Sequence, residues 1–384
     1  MPLADLIGST EAMREIFEAR AGVQAMLDVE AALACAHAAT GAIAVAAAEA
    51  IAASCDAGGI DPIMLATEGA HAGTIVIPLV AWLRAQVSEH AASVHRASTS
   101  QDIIDTALVL QIRRGIDLLD ADAAAMAEAV AAMVRVHATT PMLARTLLQP
   151  ALPSSFGLKA AQWLAALDDM RLAIQGAADQ ALVLQCGGAA GTLDGLGADP
   201  VQFVESLAAC LDLPTAPLPW HTRRAPLARL GCVIAAGLGT LGKIATDIAL
   251  SMQAEIGELA EPAASGRGGS SALAHKRNPT LSIAVRAAAL RAPHLAATLL
   301  AAIAQEHERA AGAWQAEQSV WPELMLAASG AFAAMREALA GLVIDRDAMA
   351  GNLGLAPGTP AAAIPFLIRT SLDHHDKTMK ALSR

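Results

Sequence analysis

The sequence predicts an all-α protein built from long helices. Hydrophobic residues make up 55% of the 384 residues, but aromatic residues only 3%, and tyrosine is absent. Alanine supplies much of the hydrophobic excess, and alanine is the best helix former because its side chain loses no rotational entropy in a helix. In addition, five helix-forming segments are longer than an ordinary globular helix.

The first hundred residues predict shorter helices separated by glycine and proline, at 9–18, 23–39, 43–55 and 75–88. The five longer segments follow at 103–137, 154–183, 225–259, 279–305 and 312–342. The first long segment comes after Ser-Thr-Ser-Gln-Asp at 98–102, whose short polar side chains can cap a helix N-terminus. Segments of this length predict a bundle of parallel and antiparallel rods.

Three irregular stretches, at 141–153, 187–219 and 261–279, contain glycine or proline. The tail after Asp345 is rich in both and predicts a small, poorly helical cap. No segment strongly indicates a strand. We therefore expect an N-terminal helical domain (1–104), a central long-helix bundle (105–343) and a short C-terminal cap (344–384).

Composition and hydropathy indicate the cellular compartment of the protein. The mean hydropathy of +0.44 raises the question of a membrane. However, the apolar run at 295–304 is only ten residues long, and 227–250 is interrupted by Arg229, Lys243 and Asp247. The N-terminus has no basic region followed by an apolar run, as a secretory signal would. We expect a cytoplasmic protein that does not enter a membrane.

The cysteines and the net charge argue against further classes of protein and of binding site. Five cysteines are scattered, and none forms Cys-x-x-Cys, which favours reduced thiols over disulfides or a zinc site. The formal net charge of −11 argues against general nucleic-acid binding. It also means that an anionic small substrate would need a local cluster of cations.

One segment concentrates groups capable of chemistry: Gly-Arg-Gly-Gly-Ser-Ser-Ala-Leu-Ala-His-Lys-Arg-Asn-Pro at 266–279. Successive backbone N–H groups of a glycine-rich loop can surround an oxyanion, and the N-terminus of the following helix adds positive potential. Asn278 and Pro279 could instead be a simple helix start, with the glycines a turn. The number of polar groups in this loop favours a binding or catalytic site.

This loop resembles the signature of the fumarase/aspartase superfamily, Gly-Ser-Ser-x-Met-x-x-Lys-x-Asn, with Leu273 in the place of methionine. The matching residues are Gly269, Ser270, Ser271, Lys276 and Asn278. Two further segments resemble the superfamily in the same order. Residues 95–106 resemble His-x-Gly-x-Thr-Ser-x-Asp-x-x-Asp-Thr, with Ala97 in the place of glycine, and 144–149 resemble Gly-Arg-Thr-His-x-Gln, followed by Phe-Gly-Leu-Lys at 156–159.

The resemblance implies a homotetramer in which long central helices form a twenty-helix core, with each active site built from one motif of each of three subunits. It implies neither a metal nor an organic cofactor. It implies removal of a proton next to a carboxylate and loss of a β-leaving group, or the reverse addition, with Ser270 as the favoured base. A free hydroxyl is too weak a base and must be activated by fixed dipoles and a cation. The glycine-rich backbone N–H groups and Lys276 could provide this activation, or Lys276 and Asn278 could hold the substrate carboxylate, and the two roles remain open.

Two departures from the lyase pattern bear on the reaction. Many sister lyases have a general-acid histidine paired with a glutamate, and here those positions are Leu147 and Ile283. A strongly basic leaving group needs such an acid, whereas a carboxylate, with a pKa of about 4, does not. The double loss favours the cycloisomerase branch of the superfamily. Resemblance to that branch implies conversion of 3-carboxy-cis,cis-muconate, a tricarboxylate, to 4-carboxymuconolactone.

The segment 305–318 also resembles the cycloisomerase branch. Adenylosuccinate lyases have a serine and an arginine suited to a nucleotide phosphate where this chain has Trp314 and Gln318. The glycine-rich segment 187–192 resembles the cycloisomerases as well. The chain is shorter than usual for the superfamily, so we expect a trimmed C-terminal domain.

We expect Ser270, His95 and Lys276 to be catalytic. The residues expected to bind substrate are Thr99, Ser100, Arg145, Thr146, Gln149, Ser271, His275, Arg277, Asn278 and Arg309. Two alternatives are a C–N lyase similar to adenylosuccinate lyase and a catalytically silent homologue like the lens crystallins of this superfamily. The intact Ser270, Lys276 and Asn278 argue against the silent alternative.

Overall fold

A computed structural model of the chain describes residues 8–269, 273 and 276–382. Helices account for 68% of the structure, which confirms the predicted all-α class. Ser270, Ser271 and His275, three of the expected site residues, lie outside the described residues.

The described N-terminal residues form five α-helices, joined in part by short 3₁₀ turns at Ala57–Gly59 and Ser88–Ser93. They are α1 (Glu11–Phe17), α2 (Ala19–Ala39), α3 (Val45–Ser54), α4 (Pro62–Ala72) and α5 (Val76–Gln86). Four match predicted helices. Helix α4 was not predicted, although it begins with a capping aspartate, Asp61, followed by proline at the first helical position, which is a recognised start signal.

All five predicted long helices are present, so the predicted bundle is confirmed. They are α6 (Ser100–Val136), α7 (Phe156–Ala181), α9 (Ala225–Ser251), α10 (Thr280–Ala301) and α11 (Ala313–Ala340). Helix α10 packs on α9 and α11, and α7 packs on α6 and α9. Helix α9 ends eight residues before its predicted end, at a turn in which the Gly257 N–H donates to the carbonyl of Gln253.

The structure also contains two short strand pairs, which no segment of the sequence strongly indicated. Strands β1 (Pro141–Thr146) and β2 (Gln149–Ser155) form an antiparallel hairpin, and β3 (Leu259–Ala260) pairs with β4 (Val343–Ile344). The prolines of the hairpin suggested an irregular stretch. They are compatible with a two-stranded ribbon because each strand has a free edge, where a missing N–H is tolerated.

Two expectations are wrong. The stretch 187–219 contains helix α8 (Pro200–Leu211), which starts with Asp199 as its cap. The tail contains α12 (Arg346–Asn352) and the 19-residue helix α13 (Ile364–Leu382). Tertiary contacts stabilise α13, since the Ser371 hydroxyl donates to the carbonyl of Ala161 in α7, and His375 lies buried beside Asp168.

Among the described residues, two helices could cross a membrane by length and composition alone, Ala225–Ser251 and Thr280–Ala301. The first packs against α7, α10 and α11, and its Asp247 accepts a hydrogen bond of 2.8 Å from the Trp163 indole of α7. It is therefore an interior helix of the bundle. Helix α10 leaves Leu290 and Leu300 exposed.

Candidate active site

Two of the three motif segments lie at opposite ends of the bundle. Residues 95–106 surround the N-terminus of α6, and 144–149 belong to the hairpin that follows its C-terminus. Helix α6 has 37 residues, and at 1.5 Å per residue it is about 55 Å long. A single chain therefore cannot bring both segments to the same small substrate.

At the first end, Asp102 joins three segments of the chain. Its carboxylate accepts hydrogen bonds from the backbone N–H groups of Thr99 (3.1 Å), Gly187 (3.0 Å) and Gly188 (2.9 Å). It also lies 2.7 Å from Nε2 of His221. The glycine-rich segment that resembles the cycloisomerases is thus fixed beside the first motif.

A buried ion network supports the same end. Asp105 accepts two hydrogen bonds from Arg224 (2.7 and 3.1 Å) and one from the Trp314 indole (3.0 Å). Arg224 also pairs with Glu317 at 2.8 Å. Burial raises the pKa of the Glu317 carboxyl, although the neighbouring Arg224 opposes this shift. The tryptophan that distinguishes this chain from adenylosuccinate lyases therefore positions Asp105.

Four of the expected site residues meet here. Thr99 and Ser100 begin α6, and the Arg309 guanidinium donates to the Thr99 hydroxyl. His95 lies four residues before Thr99, and its Nδ1 is 2.6 Å from Oε1 of Glu30 in α2. A guanidinium at a helix N-terminus provides positive potential and N–H donors, so this arrangement can bind a carboxylate.

At the other end, Arg145 does not offer a free guanidinium. It donates two hydrogen bonds to Glu258, whose side chain is completely buried. Thr146 and Gln149 are exposed and pair with each other at the end of the hairpin. Of the expected substrate-binding residues of the second motif, Arg145 is thus engaged in an ion pair, whereas Thr146 and Gln149 lie beside an exposed turn.

The turn of the hairpin consists of Leu147 and Leu148, with φ angles of 52° and 66°. Positive φ at both positions matches the twist of a two-residue hairpin, but it costs a non-glycine residue about 1–2 kcal/mol. Leu147 is 96% exposed. The position that carries the general acid in sister lyases is therefore an apolar side chain that projects away from its own chain.

A cavity of about 250 Å³ lies beside the hairpin, lined in part by Arg145 and Lys159. Burial lowers the pKa of Lys159, partly opposed by Asp247, whose carboxylate is 4.0 Å from the lysine Nζ. Lys159 belongs to the Phe-Gly-Leu-Lys sequence that extends the second motif. Its place beside Arg145 makes it a candidate for binding an anion.

In the third motif, Asn278 bonds back to two of the glycines that precede it. The Asn278 backbone N–H donates to the carbonyl of Gly268 (2.7 Å), and its side-chain amide donates to Gly269 (3.3 Å). Lys276 and Arg277 are exposed. Of the expected groups of this motif that the structure describes, Asn278 is thus held against the glycine-rich segment, whereas the two cations lie at the surface.

The alternative of Asn278 as a simple helix cap is wrong. Helix α10 begins two residues later, and Glu261 satisfies its first N–H groups, accepting from Leu281 (3.1 Å) and Ser282 (2.7 Å). The Asn278 side chain instead bonds within the loop that precedes the helix.

Comparison with known proteins shows which family shares this sequence and fold. The sequence profile of the family described as Lyase matches residues 6–293. The chain belongs to the fumarase/aspartase lyase family. This lyase is 44% identical over 380 residues to a 3-carboxy-cis,cis-muconate cycloisomerase from Bradyrhizobium diazoefficiens, across 98% of the chain and 84% of that relative.

Other relatives of this lyase show how wide the similarity is. The crystal structure of a 3-carboxy-cis,cis-muconate lactonizing enzyme from Pseudomonas putida matches it with a TM-score of 0.92 at 33% identity, covering 98% of this chain and 99% of that one. A nitrosuccinate lyase from Streptomyces davaonensis is 41% identical over 350 residues, across 88% of the chain and 74% of that relative. Relatives of similar identity thus carry different activities.

Sequence analysis missed the residues of this lyase that support the expected site. Among them are Glu30 beside His95, Arg224 beside Asp105, and Lys159 beside Arg145. The signal for Lys159 was available, because it lies within a matched segment. Glu30 and Arg224 occur in segments without a motif, so only the folded chain associates them with the site.

Proposed function

We propose that the chain catalyses the intramolecular addition of a carboxylate across a conjugated double bond, converting 3-carboxy-cis,cis-muconate to 4-carboxymuconolactone in the cytoplasm. The observation that carries this proposal is Leu147 at the exposed end of the hairpin. An active site to which this position contributes an apolar side chain instead of a general acid suits a leaving group of low basicity. A carboxylate is such a leaving group. The cycloisomerase relatives support the same substrate.

The reaction balances without a redox step. In the lactone-forming direction, a carboxylate oxygen adds to one carbon of the double bond, and the electron pair moves to the neighbouring carbon, which accepts a proton. Reversal removes that proton and expels the carboxylate. We assign the proton transfer to Ser270, assisted by Lys276, and the substrate carboxylates to His95, Arg309 and the remaining expected binding residues.

We also propose that the active form is a homotetramer whose sites combine motifs from three subunits. The length of α6 supports this assembly, because this helix, about 55 Å long, lies between the first two motifs within one chain. The exposed apolar residues of α10 support it as well, since such surfaces commonly form contacts between subunits. We also propose that the chain is divided into an N-terminal helical domain (1–104), a central long-helix bundle (105–343) and a short C-terminal segment (344–384).

The test is the ultraviolet absorbance of 3-carboxy-cis,cis-muconate with purified protein in the presence of a chelator, beside a Ser270→Ala variant. We expect the conjugated-diene band to decay only with the unmodified protein. A stable band with both proteins would contradict the substrate assignment, and decay with both would remove Ser270 as the proton carrier.

The second candidate is a lyase that eliminates a nitrogen-containing group, as in the nitrosuccinate lyase relative. Nitrosuccinate and adenylosuccinate, incubated separately with the protein and followed by fumarate formation, test this candidate. Turnover of either substrate without turnover of the muconate would replace the cycloisomerase proposal. Absence of turnover with all three would favour the catalytically silent alternative.

A further inference from the structure

We propose that a cavity between the hairpin and helices α7 and α9 binds a small oxyanion, with Lys159 as its principal cation. The chemical class of the ligand is that of inorganic phosphate or of a carboxylate group. This inference goes beyond the proposed function, because binding of an oxyanion does not depend on the reaction that the protein catalyses. We call this cavity the cationic cavity.

The lining of the cationic cavity is the first argument. The cavity has a volume of about 220 Å³ and is distinct from the neighbouring one of about 250 Å³, with which it shares Arg145 and Lys159. Among the described residues that line it, three are cations and none carries a carboxylate. Its polar and charged lining residues are Arg145, Ser154, Ser155, Lys159, Gln162 and Lys243. In a chain with a formal net charge of −11, a cavity lined by cations alone predicts an anionic ligand.

The balance of charge around the cavity is the second argument. Glu258 accepts two hydrogen bonds from Arg145, of 2.8 and 2.9 Å, and Asp247 forms an ion pair with Lys243. The Nζ of Lys159 lies 4.0 Å from the Asp247 carboxylate and has no hydrogen-bond partner among the described residues. Three cations therefore share two carboxylates, and the charge that remains without a counter-ion is that of Lys159.

The surroundings of Lys159 make this remaining charge unfavourable. Its side chain is 30% exposed. Burial lowers its pKa, the charges of Lys243 and Arg145 lower it further, and those of Asp247 and Glu258 oppose the change. An anion that enters the cavity would stabilise the ammonium by supplying the missing counter-ion. The direction of the pKa shift thus agrees with the balance of charge.

Uncharged groups around the cavity can complete the coordination of an oxyanion. The side chains of Ser154 and Gln162 have no hydrogen-bond partner among the described residues, so both can donate to a ligand. Helix α7 begins at the cavity with Ser155 as its N-cap and has no acidic residue in its first turn. The first N–H groups of this helix are already bonded, so the helix adds positive potential without adding donors.

The first test measures acetylation of each lysine by acetic anhydride, followed by peptide mass spectrometry. Only the neutral amine reacts, and a bound anion both covers Lys159 and raises its pKa. With phosphate in place of chloride at equal ionic strength, we expect acetylation of Lys159 to fall in a saturable manner, by at least about threefold. Acetylation of the exposed Lys377 on α13 should not change. A rate at Lys159 that is the same with and without phosphate would overturn the proposal.

The second test is thermal unfolding in the same two salts, with phosphate at about ten times the Kd that the acetylation experiment gives. The Tm of the unmodified protein should rise by about 2 °C. Lys159→Met should lose most of this rise and Lys159→Arg should keep most of it, while Lys377→Met is the matched control and should keep all of it. General salt effects act on every variant alike, so an equal rise in Lys159→Met and in the unmodified protein would overturn the proposal.

Acetylation in the presence of 3-carboxy-cis,cis-muconate identifies the source of the oxyanion. If a substrate carboxylate occupies the cavity, the muconate should protect Lys159, and phosphate should inhibit turnover competitively. If the cavity takes a free anion, phosphate alone should protect Lys159, and turnover should be unaffected. Neither acetylation nor Tm requires turnover, so a muconate that is not converted would refute the proposed function, while protection by phosphate would still establish the oxyanion site.

Discussion

Arg145 and Glu258 form two parallel hydrogen bonds, from Nη1 to Oε2 over 2.8 Å and from Nη2 to Oε1 over 2.9 Å. Asn352 of α12 donates to the same carboxylate over 2.8 Å. The pair therefore connects the hairpin to the segment after α9 and to the C-terminal part of the chain. For Arg145 to bind a substrate carboxylate, it must share or exchange this partner.

Replacing Arg145 by alanine should leave the buried Glu258 carboxylate without its cation. We expect the free energy of unfolding to fall by about 3 kcal/mol, the lower end of the range for breaking a buried ion pair, because Arg145 is partly exposed. Urea denaturation at fixed protein concentration measures this loss, and adding Glu258→Gln should recover part of it. Unchanged stability with lost activity would instead indicate that Arg145 acts mainly on the substrate.

Replacing Arg224 by methionine should destabilise the protein more strongly. Arg224 is buried between Asp105 and Glu317, so its loss leaves two uncompensated carboxylates in the interior. We expect a decrease of about 3–5 kcal/mol in the free energy of unfolding. A triple variant with Asp105→Asn and Glu317→Gln should be more stable than Arg224→Met alone, and a triple variant that is less stable would refute this explanation.

The lowered pKa of Lys159 predicts a dependence of stability on pH. Burial is the main cause of the shift, so the unfolded chain binds more protons than the folded one between the folded pKa and the ordinary lysine value of about 10.4. Stability from this residue should therefore rise with pH across that window. Thermal unfolding at several alkaline pH values should show this slope reduced in Lys159→Met, and equal slopes would contradict the prediction.

The exposed face of α10 predicts where subunits meet. Leu290 is 76% exposed, and Leu290→Asp combined with Leu300→Asp should convert the proposed tetramer to smaller species. Size-exclusion chromatography with light scattering measures the mass. Ile63→Asp is the control, because Ile63 is equally exposed (78%) but lies on α4. A double variant that remains tetrameric would exclude this face as an essential contact.

The thiols of Cys35 and Cys210 lie 3.3 Å apart and are both exposed, so oxidised glutathione should convert them to a disulfide while it is reduced to two thiols. Burial and the hydrogen bond to Cys35 raise the pKa of Cys210 to about 11, so the reaction should accelerate as pH rises. Peptide mapping without reductant identifies the bond, and Cys35→Ser should abolish it. A crosslink involving Cys232 instead would contradict this pairing.

The long helices and the matched motifs could be read from the sequence because both are local properties. Helix formation depends on residues three and four positions apart, and the alanine content of α6, α7, α9, α10 and α11 satisfies that requirement along each segment. The missing acid at Leu147 is also visible in the sequence, since it depends only on the identity of one residue. These features were sufficient to identify the family and the reaction expected of it.

The hairpin, the terminal helix α13 and the partners of the site residues were decided by tertiary structure. Arg145 and Glu258 are 113 residues apart, and His95 and Glu30 are 65 apart. No local pattern encodes such pairs, because they form only when packed helices exclude water and leave a buried charge one available partner. The sequence by itself determined which chemical groups this protein carries, and the packing of α2 and α9 determined which of them face one another.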